Sequence, residues 1–174
     1  MDDVALRSLT QWFRSYVDRF RRDSDTLHPM MELKFAHTAR VALLGRTIAE
    51  LSGWTACEAN LAEAAGWLHD VGRFSQWADF ATYRDRISVD HASRGCEVLG
   101  REDVLSVASA QDRDYLMEAV ALHNRLTLPD TLSPASRALC ALVRDADKLD
   151  IFDLVCAHLD DGTLADLVPL LSAV

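Results

Sequence analysis

Trp67-Leu68-His69-Asp70-Val71-Gly72-Arg73 is the stretch on which the reading of this chain depends. An apolar helical turn runs into an adjacent histidine and aspartate, with a glycine close behind. Neighbouring residues at a helix terminus can point into one pocket at different angles, so the doublet is placed to act on a common ligand. By itself it says little, because His-Asp pairs arise by chance. Its weight comes from four residues elsewhere, His37, His91, His123 and Asp147, which occupy core positions on other apolar stripes. A lone histidine on such a stripe is ordinarily a hydrogen-bonded core residue. Six polar groups on buried faces would carry a large desolvation cost unless something shared neutralises them. A metal centre does so directly, since imidazole nitrogens and carboxylate oxygens are its natural ligands. The chain is expected to fold around a metal site.

Working outward from the doublet, nearly everything reads as helix. The pattern predicts a first helix over Val4 to Arg22, with Leu9, Phe13, Tyr16, Val17 and Phe20 on one face. After His28-Pro29, a second places Leu33, His37, Val41, Leu44, Ile48 and Leu51 in a stripe and stops at Gly53. Thr55 and Glu58 form a capping box for a third, which carries the doublet and ends near Gly72. The segment from Arg73 to Val89 is mixed and aromatic, and is read as a loop with one or two short helices. Its Phe74, Trp77, Phe80 and Tyr83 suit core packing better than a substrate wall. A fourth helix runs from Asp90 to Gly100 with His91, Gly95 and Val98 along one side, and a fifth from Asp112 to Asn124 groups Leu116, Ala119, Val120 and His123. Ser133-Pro134 opens a sixth, with Leu139, Val143, Asp147, Asp150 and Leu154 at helical spacing. Thr163 to Val174 is read as a short docking helix. No alternating strand pattern, internal repeat or linker is present. The expected fold class is all-α, as a single domain over residues 1–174.

Composition narrows the function. The formal charge of −9 argues against a sequence-independent grip on duplex nucleic acid, which needs a basic surface. It does not exclude an anionic substrate, because bound cations are not counted in that sum. No apolar run reaches the about 18–20 residues of a membrane span. The start, Met1-Asp2-Asp3, lacks the basic and apolar features of a signal peptide. Cys57, Cys96, Cys140 and Cys156 form no Cys-x-x-Cys pair and are expected as reduced, mostly buried thiols. A cytoplasmic protein is the default expectation. His28 and His158 read as surface residues. The apolar run Leu167 to Val174 would suit a homodimer interface, although docking on its own core is the simpler reading.

Taken in order, His37 in Lys-Phe-Ala-His-Thr, His69-Asp70 in Leu-His-Asp-Val-Gly-Arg and Asp147 in Arg-Asp-Ala-Asp-Lys-Leu-Asp resemble the signature of HD-domain proteins. That signature is a histidine, a His-Asp doublet and a distant aspartate on a helical bundle. The resemblance covers roughly Leu33 to Phe152. His91 and His123 are similar to the two further histidines of the subset that holds a second metal. It implies that His37, His69, Asp70 and Asp147 bind one divalent transition metal (iron, manganese, cobalt, nickel or zinc). His91 and His123 would bind the other, with Asp70 bridging the pair.

By the same resemblance the protein would be a metal-dependent phosphohydrolase acting on a small phosphate ester, a nucleotide or nucleotide-like compound. Two divalent cations outweigh two carboxylates and a bridging hydroxide, leaving a positive centre that attracts phosphate and supplies the nucleophile. Asp70 would take part in catalysis as the bridge between the metals, and Arg73 and Lys148 are candidates to hold a phosphoryl group. Arg73 could instead cap the preceding helix, and Lys148 could pair with Asp145. Asp150 could stand behind a ligand or be a solvated acid. The Gly-Tyr-Pro motif of the family's cyclic-dinucleotide phosphodiesterases is absent, which disfavours that substrate. Two alternatives remain: a di-iron oxygenase resembling myo-inositol oxygenase or its phosphonate-cleaving relative, and a non-catalytic module that binds metal and nucleotide.

Overall fold

The structure, a computed structural model, describes residues 1–22 and 25–163. Among these residues there are seven α-helices and no strand, so the protein is all-α. In chain order they are α1 (Asp3–Asp18), α2 (Pro29–Leu51), α3 (Ala56–Leu68), α4 (Val71–Phe80), α5 (His91–Arg101), α6 (Ala110–Leu122) and α7 (Pro134–Asp160). Short 3-10 turns at Asp85–Ile87 and Val104–Val107 flank α5.

Each start has a local cause. The Asp2, Asp90, Ser109 and Ser133 side chains accept from backbone N–H groups of the first turns of α1, α5, α6 and α7. Thr55 and Glu58 close the expected capping box on α3. His28 caps α2 through its ring and packs at a tilt against Trp77, ring centroids 4.9 Å apart, so it is half-buried rather than a free surface residue.

Helix α2 packs against α3 and α7, α3 also meets α1 and α6, and α4 lies along α5. Buried side chains from Met1 to Val143 form one apolar cluster, with Phe13 and Phe74 in edge-on contact at 5.7 Å. Small residues set the close approaches. A Cβ on Gly66 would lie 2.5 Å from Ala42 Cα, so α3 meets α2 nearly backbone to backbone.

Three expectations need correction. Helix α3 ends at Leu68, short of the expected Gly72, and a separate ten-residue helix begins at Val71 and runs into the segment read as a loop with one or two short helices. Gly72 is therefore no stop: it sits in the first turn of α4, where a Cβ would strike the backbone of α5. The buried face of α2 is rotated from the leucine stripe and carries Lys34, His37, Val41, Ala42, Gly45 and Ala49, leaving Leu51 exposed. Small residues win that face because α3 comes too close for leucines. Of the free cysteines only Cys140 is buried; Cys57 and Cys156 are exposed.

Helix α7 opens at Pro134 as expected, carries Leu139, Val143, Asp147, Asp150 and Leu154, and runs to Asp160. Phe74 and Tyr83 are fully buried and Trp77 half-buried, in keeping with packing, whereas Phe80 is exposed. The expected helix beyond Thr163 and the Leu167–Val174 interface lie outside the described residues. No helix among the described residues is long and apolar enough to cross a membrane.

Candidate metal centre

Five elements converge on one point. His37 comes from the middle of α2, His69 and Asp70 from the break between α3 and α4, His91 from the first turn of α5. His123 ends α6, and Asp147 projects from α7. The break explains how the doublet works: Asp70 takes φ −101° and ψ 16° and makes no capping bond to α4. Its carboxylate turns inward instead of satisfying the helix, in a backbone region where active-site residues often sit.

Asp70 is the hub. Its Oδ2 lies 3.8 Å from His37 Nε2 and 3.6 Å from His69 Nε2. Its Oδ1 lies 3.5 Å from His91 Nε2 and 3.6 Å from His123 Nε2. The carboxylate thus divides two buried groups of potential ligand atoms, His37 with His69 and His91 with His123, and belongs to both. Asp147 joins the first: its Oδ1 is 3.1 Å from His37 Nε2 and 3.9 Å from His69 Nε2.

Every ring is held from behind. His69 Nδ1 lies 2.7 Å from the Gly66 carbonyl and His123 Nδ1 2.8 Å from that of Val120. A carbonyl only accepts, so each Nδ1 must donate, which leaves the Nε2 lone pair facing the centre. His37 Nδ1 faces Asp150 Oδ2 at 2.7 Å, and His91 Nδ1 faces Asp85 Oδ2 at 2.6 Å. Both carboxylates sit at about 2, because these histidine hydrogen bonds outweigh burial, with help from Arg40 on Asp150 and Gln76 on Asp85. They too can only accept.

The donor set fits a metal on this evidence. His69 Nε2 is buried without a hydrogen-bond partner, and buried His37 Nε2 has only the carboxylate of Asp147 before it, at 3.1 Å. His91 Nε2 and His123 Nε2 stand 2.8 Å apart with both Nδ1 atoms already committed as donors. Two lone pairs at that distance repel unless a cation lies between them or a ring takes a second proton, and burial lowers the proton affinity of His91. Burial likewise holds His69 down at about 4, so it is neutral at ordinary pH, as a ligand must be. Burial opposes charge on Asp70 and Asp147, yet Lys34, His69, His123 and Arg73 around the first, and His37 and His69 around the second, keep both well below the usual carboxylate range. For His37, burial is outweighed by hydrogen bonds to Asp147 and Asp150, which raise its proton affinity.

The sequence-derived candidates fare differently. The structure brings the six proposed metal ligands together. Arg73 is buried on the wall of the adjoining cavity, its Nε 3.5 Å from Asp70 Oδ1. Its Nη1 donates to Gln76 Oε1, the Tyr83 carbonyl and Asp85 Oδ1, rather than to carbonyls of the preceding helix. Lys148 stands apart: it is exposed, donates to the Arg144 carbonyl one turn back, and does not line the cavity. One residue along α7 from Asp147, it is carried roughly 100° around the helix and away from the centre. His158 folds its Nδ1 back to the Leu154 carbonyl, far along α7 from the ligand positions.

Three functional neighbours escaped the sequence reading. Lys34 is buried with its Nζ 2.9 Å from Asp70 Oδ2. It lies one turn before His37, and a charged residue on that face was a usable signal. Asp85 sits in a turn with no periodicity to mark it. Arg40 grips Asp150 through two nitrogens at 2.5 and 2.9 Å, which fixes Asp150 behind His37.

A cavity of about 650 Å³ opens over the centre, with Asp70, His91, His123 and Asp147 on its wall. A sequence model described as HD domain matches residues 35–155, which includes His37, the doublet, His91, His123 and Asp147. No curated protein and no solved structure matches the chain. With the matched span covering most of the chain and the histidine, the doublet and the distant aspartate meeting at one buried point, the protein belongs to the HD domain family, whose members bind divalent metals.

Proposed function

We propose that the protein is a metal-dependent phosphohydrolase acting on a small phosphate ester, a nucleotide or nucleotide-like compound, at a dinuclear site. The observation that carries this reading is the sharing of Asp70 between two buried groups of ligand atoms beneath an open cavity. His37, His69, Asp70 and Asp147 would hold one cation, and Asp70, His91 and His123 the other. Bound there, two divalent cations supply the positive charge that binds phosphate oxygens and makes water a competent nucleophile near neutral pH.

The chain's own residues do the rest by position. Asp150, Asp85 and the carbonyls of Gly66 and Val120 fix which ring nitrogen faces the centre. Arg73 steadies Asp70 at 3.5 Å and adds positive charge to the wall on which a phosphoryl group would lie. With its Nη1 engaged by three acceptors it acts as an anchored charge rather than a mobile arm. The wall's polar character and partial opening to solvent suit a charged, water-borne substrate more than an apolar one.

The test is phosphate release from a panel of nucleoside mono-, di- and triphosphates, by protein loaded separately with manganese, cobalt, nickel, zinc and iron(II), without oxygen. Release with at least one metal, lost in Asp70→Asn, is the expected result. No release from any phosphate ester, with oxygen consumed by the iron-loaded protein on a diol or hydroxyphosphonate, would overturn it in favour of an oxygenase.

A further inference from the structure

We propose that the substrate carries a second anionic group, phosphate or carboxylate, beyond the phosphate that reacts, and that Arg84 and Arg86 receive it. The inference rests on the phosphohydrolase reading above. It begins with the tripeptide Arg84-Asp85-Arg86. The middle residue points inward: Asp85 Oδ2 holds His91, and its Oδ1 accepts from Arg73 Nη1 at 3.1 Å and Gln76 Nε2 at 2.9 Å. Gln76 also donates to Ser88 Oγ and the Val89 carbonyl, so the turn is pinned at both ends to the interior. Its two outer residues, both exposed, line the same cavity as Asp70, His91, His123 and Asp147. One short turn therefore fixes a histidine of the centre and contributes two arginines to the lining of the same cavity.

Charge points the same way. The chain as a whole is at −9, yet on this cavity wall four cations, Lys34, Arg73, Arg84 and Arg86, stand against three carboxylates, Asp70, Asp85 and Asp147. Lys34 and Arg73 face Asp70 and Asp85 in the interior. Arg84 and Arg86 belong to the turn outside the ligand set, where a reacting phosphate held at the centre would leave room for the rest of its molecule. A volume of about 650 Å³ is that of a site for a small organic ligand rather than for a phosphate ion alone. The guanidinium fork matches the paired oxygens of a phosphate or carboxylate. A substrate whose far end is a neutral base or sugar would not use this pair.

Binding to the manganese-loaded protein by calorimetry tests the inference with inert probes: methylphosphonate, α,ω-alkylene bisphosphonates of increasing length, and ω-phosphonocarboxylates. At least one dianionic probe of suitable length should bind about tenfold or more tighter than methylphosphonate, the worth of one charge-assisted contact. In Arg84→Gln/Arg86→Gln that ratio should fall to about one. A gain limited to bisphosphonates identifies the second group as phosphate, and an equal gain with phosphonocarboxylates admits carboxylate. If methylphosphonate binds but no longer probe gains, or the gain survives in the double variant, the inference is overturned and the hydrolase reading stands. If methylphosphonate fails to bind, the hydrolase reading falls and the inference with it.

Discussion

Asp150 Oδ2 lies 2.7 Å from His37 Nδ1, joining α7 to α2 directly behind a candidate ligand nitrogen. Arg40, one turn away on α2, holds the same carboxylate by two bonds, so Asp150 has little freedom to release the ring. The pair fixes both the tautomer and the angle of His37, and it raises the basicity of Nε2 towards a cation. Asp150→Asn is expected to weaken metal binding about 10–100-fold, the usual worth of such a supporting partner. Competition with a chromophoric chelator reads this directly; an unchanged affinity would reduce Asp150 to a packing role.

Lys34 makes the opposite kind of contact. Its ammonium, almost fully buried, sits 2.9 Å from the Asp70 oxygen that also faces His37 and His69. It neutralises that carboxylate in the metal-free protein and competes with a cation for it. Lys34→Met should therefore destabilise the metal-free protein by about 3 kcal/mol, since it strands a buried charge. With metal bound, the deficit should shrink, because the cation now serves Asp70. Denaturant unfolding with and without manganese measures both arms, and an equal loss in the two states would refute the competition.

How much of this was legible depended on where the signal lay. The six candidate ligands stood out because histidine and aspartate are costly on apolar stripes, a property of residue type that survives errors in helix boundaries. Lys34 falls off the stripe that the leucines of α2 mark, whereas the buried face runs through Lys34, Ala42, Gly45 and Ala49. Small residues carry little weight in a hydrophobic pattern, yet they are what lets α3 approach. The break at His69-Asp70 was invisible locally: no proline or cap marks it, and Gly72 mimicked a helix stop. Asp85 could not be read at all, since its role is set by a tertiary meeting with His91.

Metal loading should show in stability and in stoichiometry. At a free metal concentration about 100 times the dissociation constant, binding to the native state alone contributes about 2.7 kcal/mol. For a chain of this size that raises the melting temperature by about 5–10 °C, and a chelator should reverse it. Metal analysis of the loaded protein is expected to give two per chain, falling to one in His123→Ala. A single metal in the unsubstituted protein would assign His91 and His123 to the pocket rather than to a second cation.

The seat of His91 depends on a residue that contributes no metal-binding group of its own. At Gly72, in the first turn of α4, an added Cβ would collide with the His91 carbonyl oxygen and come within 2.6 Å of the Gly95 nitrogen. Both obstacles are backbone, so relief requires α5 to move, and His91 moves with it. Gly72→Ala should cost about 2 kcal/mol or more in stability, as overpacking at a tight contact does. It should also weaken binding of one metal more than the other, because α5 carries a ligand from only one of the two groups. Gly100→Ala, near the end of the same helix, meets nothing within 4 Å and should gain up to about 1 kcal/mol from helix propensity. Thermal unfolding of the two variants side by side, followed by metal titration of each, separates a general loss of helix α5 from displacement of His91. If Gly72→Ala were as stable as the parent, the close approach of α4 and α5 would not be what sets the position of His91.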